Sequence, residues 1–412
     1  MIKHILTLIL PGILIAATGV GAGDLATASF TGSQLGVAIL WAVVVGGVFK
    51  YVLTEGIARW QLVNGNSFIE GLAQSLGKPF VWVFLSYLIL WSFFVGSALI
   101  SASGVALHSL IPIFEPSTGK IIFGTIASIS GLLLVRLGKF ALFEKAMGLS
   151  IAMMFTIVIV TAILLWPGFT PIISGLFIPS IPDINGQGIT WTVALIGGVG
   201  GTLTIFCYGY WIKEKQRISP EDIRTCRIDL LVGYSMTILF GLAMVIIGST
   251  ISAEGKGASL LIKLSASLES SLGATGKWMF LVGAFCAIYS SLLGVWQAVP
   301  YLFADIMRHT RGKTQDTQNL TIKHPLESTA HYKIFQISIA IVPLVSLLMS
   351  FKDVQKFYSV IGTFFMPLLA IALLYFNNKK ALGEHKNGLL INILLLLTLL
   401  FFSAITWKKL LQ

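Results

Sequence analysis

Apolar runs of about 20 residues, the length that carries a helix across roughly 30 Å of hydrocarbon, recur along the whole of this chain. Backbone in hydrocarbon must satisfy its own N–H and C=O groups, so only helices or a closed barrel can span. The short apolar–polar alternation of a barrel strand is absent from the sequence, which leaves an all-α integral membrane protein. Composition agrees. Of 412 residues, 56% are hydrophobic and 11% charged, too few polar side chains to cover a surface facing water.

The start MIKHILTLILPGILIAATG imitates a secretory signal, but Pro11 falls inside its apolar stretch and many spans follow, so it reads as a retained first helix. Cys207, Cys226 and Cys286 have neither metal-ligand spacing nor a disulfide framework. The net charge of +11 comes from Lys and Arg in short loops between apolar runs, so it reports topology and not a nucleic-acid partner. Eleven spans are expected: 5–41 as a broken first helix with its turn into the second, then 38–58, 80–108, 120–136, 147–166, 190–211, 229–250, 278–306, 333–350, 354–377 and 387–406. With the N-terminus inside, most basic residues, Arg59, Arg136, Arg217, Arg227 and Arg308 among them, fall on the cytoplasmic side, and Lys120, Lys277 and Lys352 on the other. The C-terminus is then external. The loop 167–189, without Lys or Arg, fits an outer connection. The polar loop 307–332 is cytoplasmic, so its Asn319-Leu320-Thr321 sequon is read as chance.

The first apolar run is interrupted by TGVGAGDLATA, residues 18–28, with three glycines and an aspartate. Gly198-Val-Gly-Gly-Thr echoes Gly19-Val-Gly-Ala-Gly in the first span of the second group of five. Matching glycine interruptions in corresponding helices point to inverted repeats that bind substrate at mid-membrane, where the helices unwind. Glycines alone would serve close helix packing equally well. Asp24 favours a site, because a carboxylate at mid-depth is costly and is seldom kept without a partner or a pathway.

Several stretches resemble the NRAMP family of divalent-metal transporters. Besides Pro11-Gly12 and the broken first helix, LLLVRLGKFALFEKAMGLSIAMM (132–154), with Gly138 and Glu144, resembles the family's connection from fourth to fifth helix, and GIARWQLVNG (56–65) the end of its second. The resemblance covers nearly the whole chain. It implies a LeuT-type fold of two inverted five-helix repeats, 1–166 and 190–377, joined by the external loop 167–189 and followed by an eleventh helix within 378–412. The family's first-helix Asp-Pro-Gly-Asn falls on Gly21-Ala22-Gly23-Asp24, so the first metal-binding aspartate is absent and an aspartate stands at the asparagine position. Its sixth-helix Met-Pro-His-Asn falls on Thr204-Ile205-Phe206-Cys207, which replaces a thioether by a hydroxyl. Third-helix acids linked to proton movement would fall near Leu90 and Phe93, the sixth-helix histidine on Phe206, and a tenth-helix glutamine on Phe365. The family's proton path therefore lacks its titratable groups here.

What the resemblance leaves is a candidate metal site of Asp24, Thr204 and Cys207 with unwound carbonyls near Thr18 and Gly201. Hard oxygens dominate it, which suits manganese, magnesium or calcium, while Cys207 leaves room for a softer ion such as iron. Gly21, Gly23, Lys50, Tyr208, Tyr289 and Gln297 are candidates to line the substrate path. Lys50, inside the second span, is read either as a snorkelling side chain or as a fixed positive charge paired with Asp24 or Glu55 in place of a coupling ion. Pairing with Asp24 would weaken the case for a cation site. Ser97, Ser101 and Ser103 are expected to serve packing, and Trp211 to lie in an aromatic belt.

The expected function is secondary-active transport of a divalent cation by alternating access, by a monomer in a bacterial plasma membrane, without cofactor or nucleic acid. One rival is a carrier of a small organic substrate such as an amino acid, whose carboxylate a glycine-rich break would attract. Another is a non-transporting sensor. HExxH, a nucleophile elbow and a phosphate loop are missing from the sequence, so an enzyme is not expected.

Overall fold

Glycine and proline set the helix boundaries. The computed structural model describes residues 2–250, 259–310, 326–349 and 351–410, so the Asn319 sequon lies outside the described residues. Helix α1 (Ile2–Gly19) stops at the glycine break and α2 (Ala22–Leu35) resumes after it; a 3-10 turn, Gly36–Ile39, leads to α3 (Leu40–Asn64), which Gly65 ends in a left-handed cap at φ 76°. Then come α4 (Phe68–Leu110), α5 (Pro116–Leu137), α6 (Lys139–Leu164), a short α7 (Phe169–Phe177), α8 (Gly188–Gly198), α9 (Cys207–Glu214), α10 (Ile223–Ser249) and α11 (Ser259–Thr310). The last three are α12 (Ala330–Ile341), α13 (Phe351–Phe376) and α14 (Leu389–Leu410).

Among the described residues, eight helical stretches are long and apolar enough to cross a bilayer, and Ile9–Gly19, Phe364–Phe376 and Leu389–Ala404 are shorter apolar helices. With α1/α2 and α8/α9 each taken as one interrupted crossing, and α7 set aside in the 167–189 connection, the crossings match the expected eleven. Helices α4 and α11 begin furthest ahead of their expected spans, at Phe68 and Ser259 against 80 and 278. Helix α4 runs through a kink at Gly77 (φ 72°, ψ −166°), and α11 through a nearly identical one at Gly273 (φ 72°, ψ −174°). Interruptions in the first and sixth crossings and twin kinks in the third and eighth are what an internal repeat of five helices produces.

Helix α10 braces both halves of the broken first crossing. A Cβ on Gly12 would fall 2.1 Å from the Asp229 carbonyl oxygen, and one on Gly233 2.2 Å from that of Gly12, so α1 and α10 touch backbone to backbone. Gly32 and Gly248 bring α2 equally close to α10. Close approach through small residues replaces the hydrophobic drive that helices lack inside lipid. Large apolar side chains instead point outward, as Leu133, Leu137, Leu389, Leu390 and Leu400 do. The charged groups Lys50, Glu55, Arg59, Asp229 and Asp305 are buried within the bundle.

Candidate functional site

The two glycine breaks meet. Helix α1 ends as Val20 N donates to the Ala16 carbonyl, and α2 starts as Leu25 N donates to Gly21. On the other side α8 ends at Gly198; Gly200 and Gly201 both take left-handed backbone, φ 81° and 76°, before a 3-10 turn, Leu203–Phe206, enters α9. A side chain would find that conformation strained, which is why glycine occupies both positions. A Cβ on Gly19 would stand 2.9 Å from the Gly200 carbonyl carbon, and one on Gly201 3.3 Å from Gly19 Cα. The interruptions thus pack edge to edge, with backbone facing backbone.

Helix α11 lies along the first break. Ser290 and Ser291 hydroxyls donate to the Ala17 carbonyl at 3.1 and 3.0 Å. Gly294, on the same face, leaves room for Thr18, whose Oγ1 would lie 2.0 Å from a Cβ there. Thr18 Oγ1 and Thr204 Oγ1 are both buried without a hydrogen-bond partner among the described residues, and so is Gln297 Nε2. Buried polar atoms are normally satisfied, so unpartnered hydroxyls on both breaks mark them as places where a ligand can supply the missing interaction. Cys207 is fully buried at the start of α9. Lys50, 0% exposed on α3, donates from Nζ to the Gly201 carbonyl.

Of the residues singled out in the sequence, Thr18, Gly21, Gly201, Thr204 and Lys50 are on or against the breaks, while Gln297 meets Trp211 of α9 and Tyr332 of α12. Gly21 faces Ser291, whose Oγ lies 2.7 Å from a Cβ built there. Gly23 and Asp24 belong to the first turn of α2 by their backbone, and the Asp24 side chain lies outside the described residues. Two candidates are partnered elsewhere: Tyr208 donates to Asp229 Oδ2 at 2.9 Å, and the Tyr289 hydroxyl bonds that of Ser130 at 2.9 Å, on an exposed face. Trp211 is not in an interfacial belt; it is 0% exposed and donates to Gln297 Oε1 at 2.8 Å. Ser97 bonds its own helix at Phe93 O, as expected, whereas the Ser101 and Ser103 hydroxyls have no partner among the described residues. Phe206 packs among Phe68, Phe84 and Phe365, with ring centroids 6.1, 6.2 and 5.2 Å away, so aromatic packing fills this region.

Sequence reasoning missed the polar network at one end of the bundle. Asp229 accepts from Gly12 N, Tyr208 and Arg217, joining α1, α9 and α10. Glu55 accepts from Arg59 at 3.0 Å and Arg227 at 2.9 Å. Asp305 accepts from Ser67 at 2.5 Å and Tyr210 at 2.7 Å. The i,i+4 spacing of Glu55 and Arg59 was the available signal. A narrow crevice beside the second break is lined by Thr27, Ala28, Gly198, Val199, Thr237 and Phe240, among others, and is mostly apolar. Among the described residues, His, Cys, Asp and Glu do not gather in threes that could hold a metal. Among the described side chains, a cation at the breaks would meet hydroxyls, carbonyls and the Cys207 thiol.

Residues 12–412 match the model of a family described as natural resistance-associated macrophage protein-like, or Nramp. A divalent metal cation transporter MntH of Chromohalobacter salexigens is 24% identical over 248 residues, which are 58% of this chain and 56% of that protein. The chain thus spans little more than half the length of that relative. A second MntH, from Mycobacterium leprae, is 22% identical over 68% of this chain and 66% of its own length. In structure, a mutant of the Eremococcus coleocola manganese transporter superposes with a TM-score of 0.80 at 17% identity, covering 99% of this chain and 86% of the other. That likeness, with the paired interruptions and kinks, shows the LeuT-type fold.

Proposed function

The chain belongs to the Nramp family, whose members are membrane transporters and not enzymes, and from that premise we propose that it moves a divalent metal cation by alternating access, with the ion held where the two breaks meet. The observation that carries the reading is the pair of buried, unpartnered hydroxyls, Thr18 and Thr204, on breaks that touch. An unpaired buried hydroxyl is a standing cost, and a cation that accepts its lone pairs removes it. The ligand set we assign is the Thr204 hydroxyl, the carbonyls near Thr18 and Gly201, Cys207 and the Asp24 carboxylate, flanked by Gly21 and Gly23. Relatives named as divalent metal cation and manganese transporters support the substrate class. Oxygen donors outnumber the single thiol, which favours manganese, magnesium or calcium over a thiophilic ion, with iron next.

The same proposal takes 1–166 and 190–377 as the repeats, 167–189 as the outer connection and 378–412 as the added helix. It places a monomer in a bacterial plasma membrane with its N-terminus cytoplasmic. One observation favours a second reading. The Lys50 ammonium at the second break would also attract a carboxylate, as a carrier of amino acids or similar organic anions requires. Uptake into proteoliposomes separates the two: manganese, magnesium or calcium should enter with wild type and fail to enter with Asp24→Ala. Failure of all three ions with folded, inserted wild type would move support to the organic substrate.

A further inference from the structure

One of the oxygens assigned to the transported cation already holds a cation of the protein's own. Lys50 leaves α3 inside the bundle, and its Nζ donates to the Gly201 carbonyl. Its stem is laid along the break: a Cβ on Gly200 would stand 3.4 Å from Lys50 Cγ and 3.1 Å from Tyr234 Cε1. The ammonium is 5.6 Å from the centroid of the Phe402 ring on α14. One turn on, Thr54 donates to the Lys50 carbonyl at 2.8 Å and shares a hydrogen bond with the Tyr234 hydroxyl at 2.6 Å, which fixes α3 against α10 at this level. The left-handed pair Gly200-Gly201 turns the Gly201 carbonyl out of the helix direction, and the lysine meets it there.

Two cations repel strongly at coordination distance in a poorly screened interior, so an ammonium and a metal ion exclude one another from a single carbonyl. Resting on the cation reading of the breaks, we propose that Lys50 is a tethered counter-cation that occupies the Gly201 position in the empty carrier and is displaced by the arriving metal. A compact charge on a flexible four-carbon stem, with three donors that can reorient, suits a group that must come and go. The consequence reaches the transport cycle. An empty site that keeps its own positive charge needs no second ion to neutralise it before the carrier returns.

Calorimetric titration of manganese into purified protein tests this. Lys50→Met keeps most of the stem and removes the charge, so it should bind manganese roughly tenfold tighter than wild type or better, while Lys50→Arg stays near wild type. In proteoliposomes Lys50→Met should retain manganese–manganese exchange but slow in net uptake, because only net uptake returns the carrier empty. Unchanged or weaker binding by folded Lys50→Met overturns the proposal and leaves the cation reading standing. So does equal tightening in Lys50→Arg, which would make shape and not charge the cause. If neither wild type nor Lys50→Met binds manganese, magnesium or calcium, both readings fall. Lys50→Gln carries the same expectation should the methionine variant not fold.

Discussion

The Asp229 carboxylate has no exposed surface and accepts three hydrogen bonds, from Gly12 N at 2.6 Å, the Tyr208 hydroxyl at 2.9 Å and Arg217 Nη1 at 2.8 Å. Such a pair adds little over a well-packed apolar substitute, but losing one partner leaves the other charge buried without its counterpart. Asp229→Ala should therefore lower stability in detergent by about 3–5 kcal/mol, read from denaturant unfolding. Tyr208→Phe removes the hydroxyl shared between Asp229 Oδ2 and the Cys226 carbonyl and should cost about 1 kcal/mol while leaving manganese affinity unaltered. A large loss of affinity in Tyr208→Phe would instead return Tyr208 to the substrate path suggested by its place after the sixth-helix break. The sequence shows why this cluster was hidden. Gly12 and Asp229 are separated by 217 residues, and no local spacing announces their contact. Lys50 was legible as a problem, a charge inside a span, but its acceptor is a backbone carbonyl exposed only by the left-handed turn at Gly200 and Gly201. Of the two acids considered for it, Glu55 accepts from Arg59 and Arg227.

At the level of elements, what the glycine pattern announced and what it concealed differ in kind. Breaks in the first and sixth crossings could be read because glycine removes helix propensity without removing hydropathy, so the run continues while the helix does not. The kinks at Gly77 and Gly273 could not. They precede the apolar parts of α4 and α11, where the chain is too polar to register as a span, and so the third and eighth crossings were expected at 80 and 278 when their helices begin at Phe68 and Ser259. The second break also carries a testable geometry. A methyl group on Gly201 would sit 2.5 Å from Thr204 Oγ1 and require a residue at φ 76°. Gly201→Ala should cost about 1–3 kcal/mol in strain. It should also weaken manganese binding, since relief of the clash moves both the Thr204 hydroxyl and the carbonyl assigned to the ion. Calorimetry on the folded variant checks this; unaltered affinity would mean that neither group binds the cation.

Across the whole molecule, three buried carboxylates tie one end of the bundle shut. Asp229 joins α1 and α9 to α10; Asp305 joins α11 to Ser67 at the start of α4 and to Tyr210 on α9; Glu55 holds Arg59 and Arg227. Arg59 also donates to the His385 carbonyl and to Asn387, both at 2.6 Å, ahead of α14. If the breaks are reached from this end by parting α1 from α10, the Gly12–Asp229 bond is a polar link across that seam that must give way. Cys226 reports on it: the residue is 2% exposed, its carbonyl accepts from Tyr208 at 3.2 Å, and its sulfur is 4.0 Å from Arg217 Nη1. In a Cys207→Ser, Cys286→Ser background, maleimide should label Cys226 slowly in the otherwise wild-type protein. Asp229→Ala should speed that labelling roughly tenfold or more, because each 1.4 kcal/mol taken from the closed state raises the open population about tenfold. Asp305→Ala, which spares the α1–α10 seam, should change the rate less. Equal acceleration by the two variants would mean that this end loosens as a whole. An unchanged rate in Asp229→Ala would mean that the carrier opens here without separating α1 from α10, and that the Asp229 cluster is a structural fastening and not a gate.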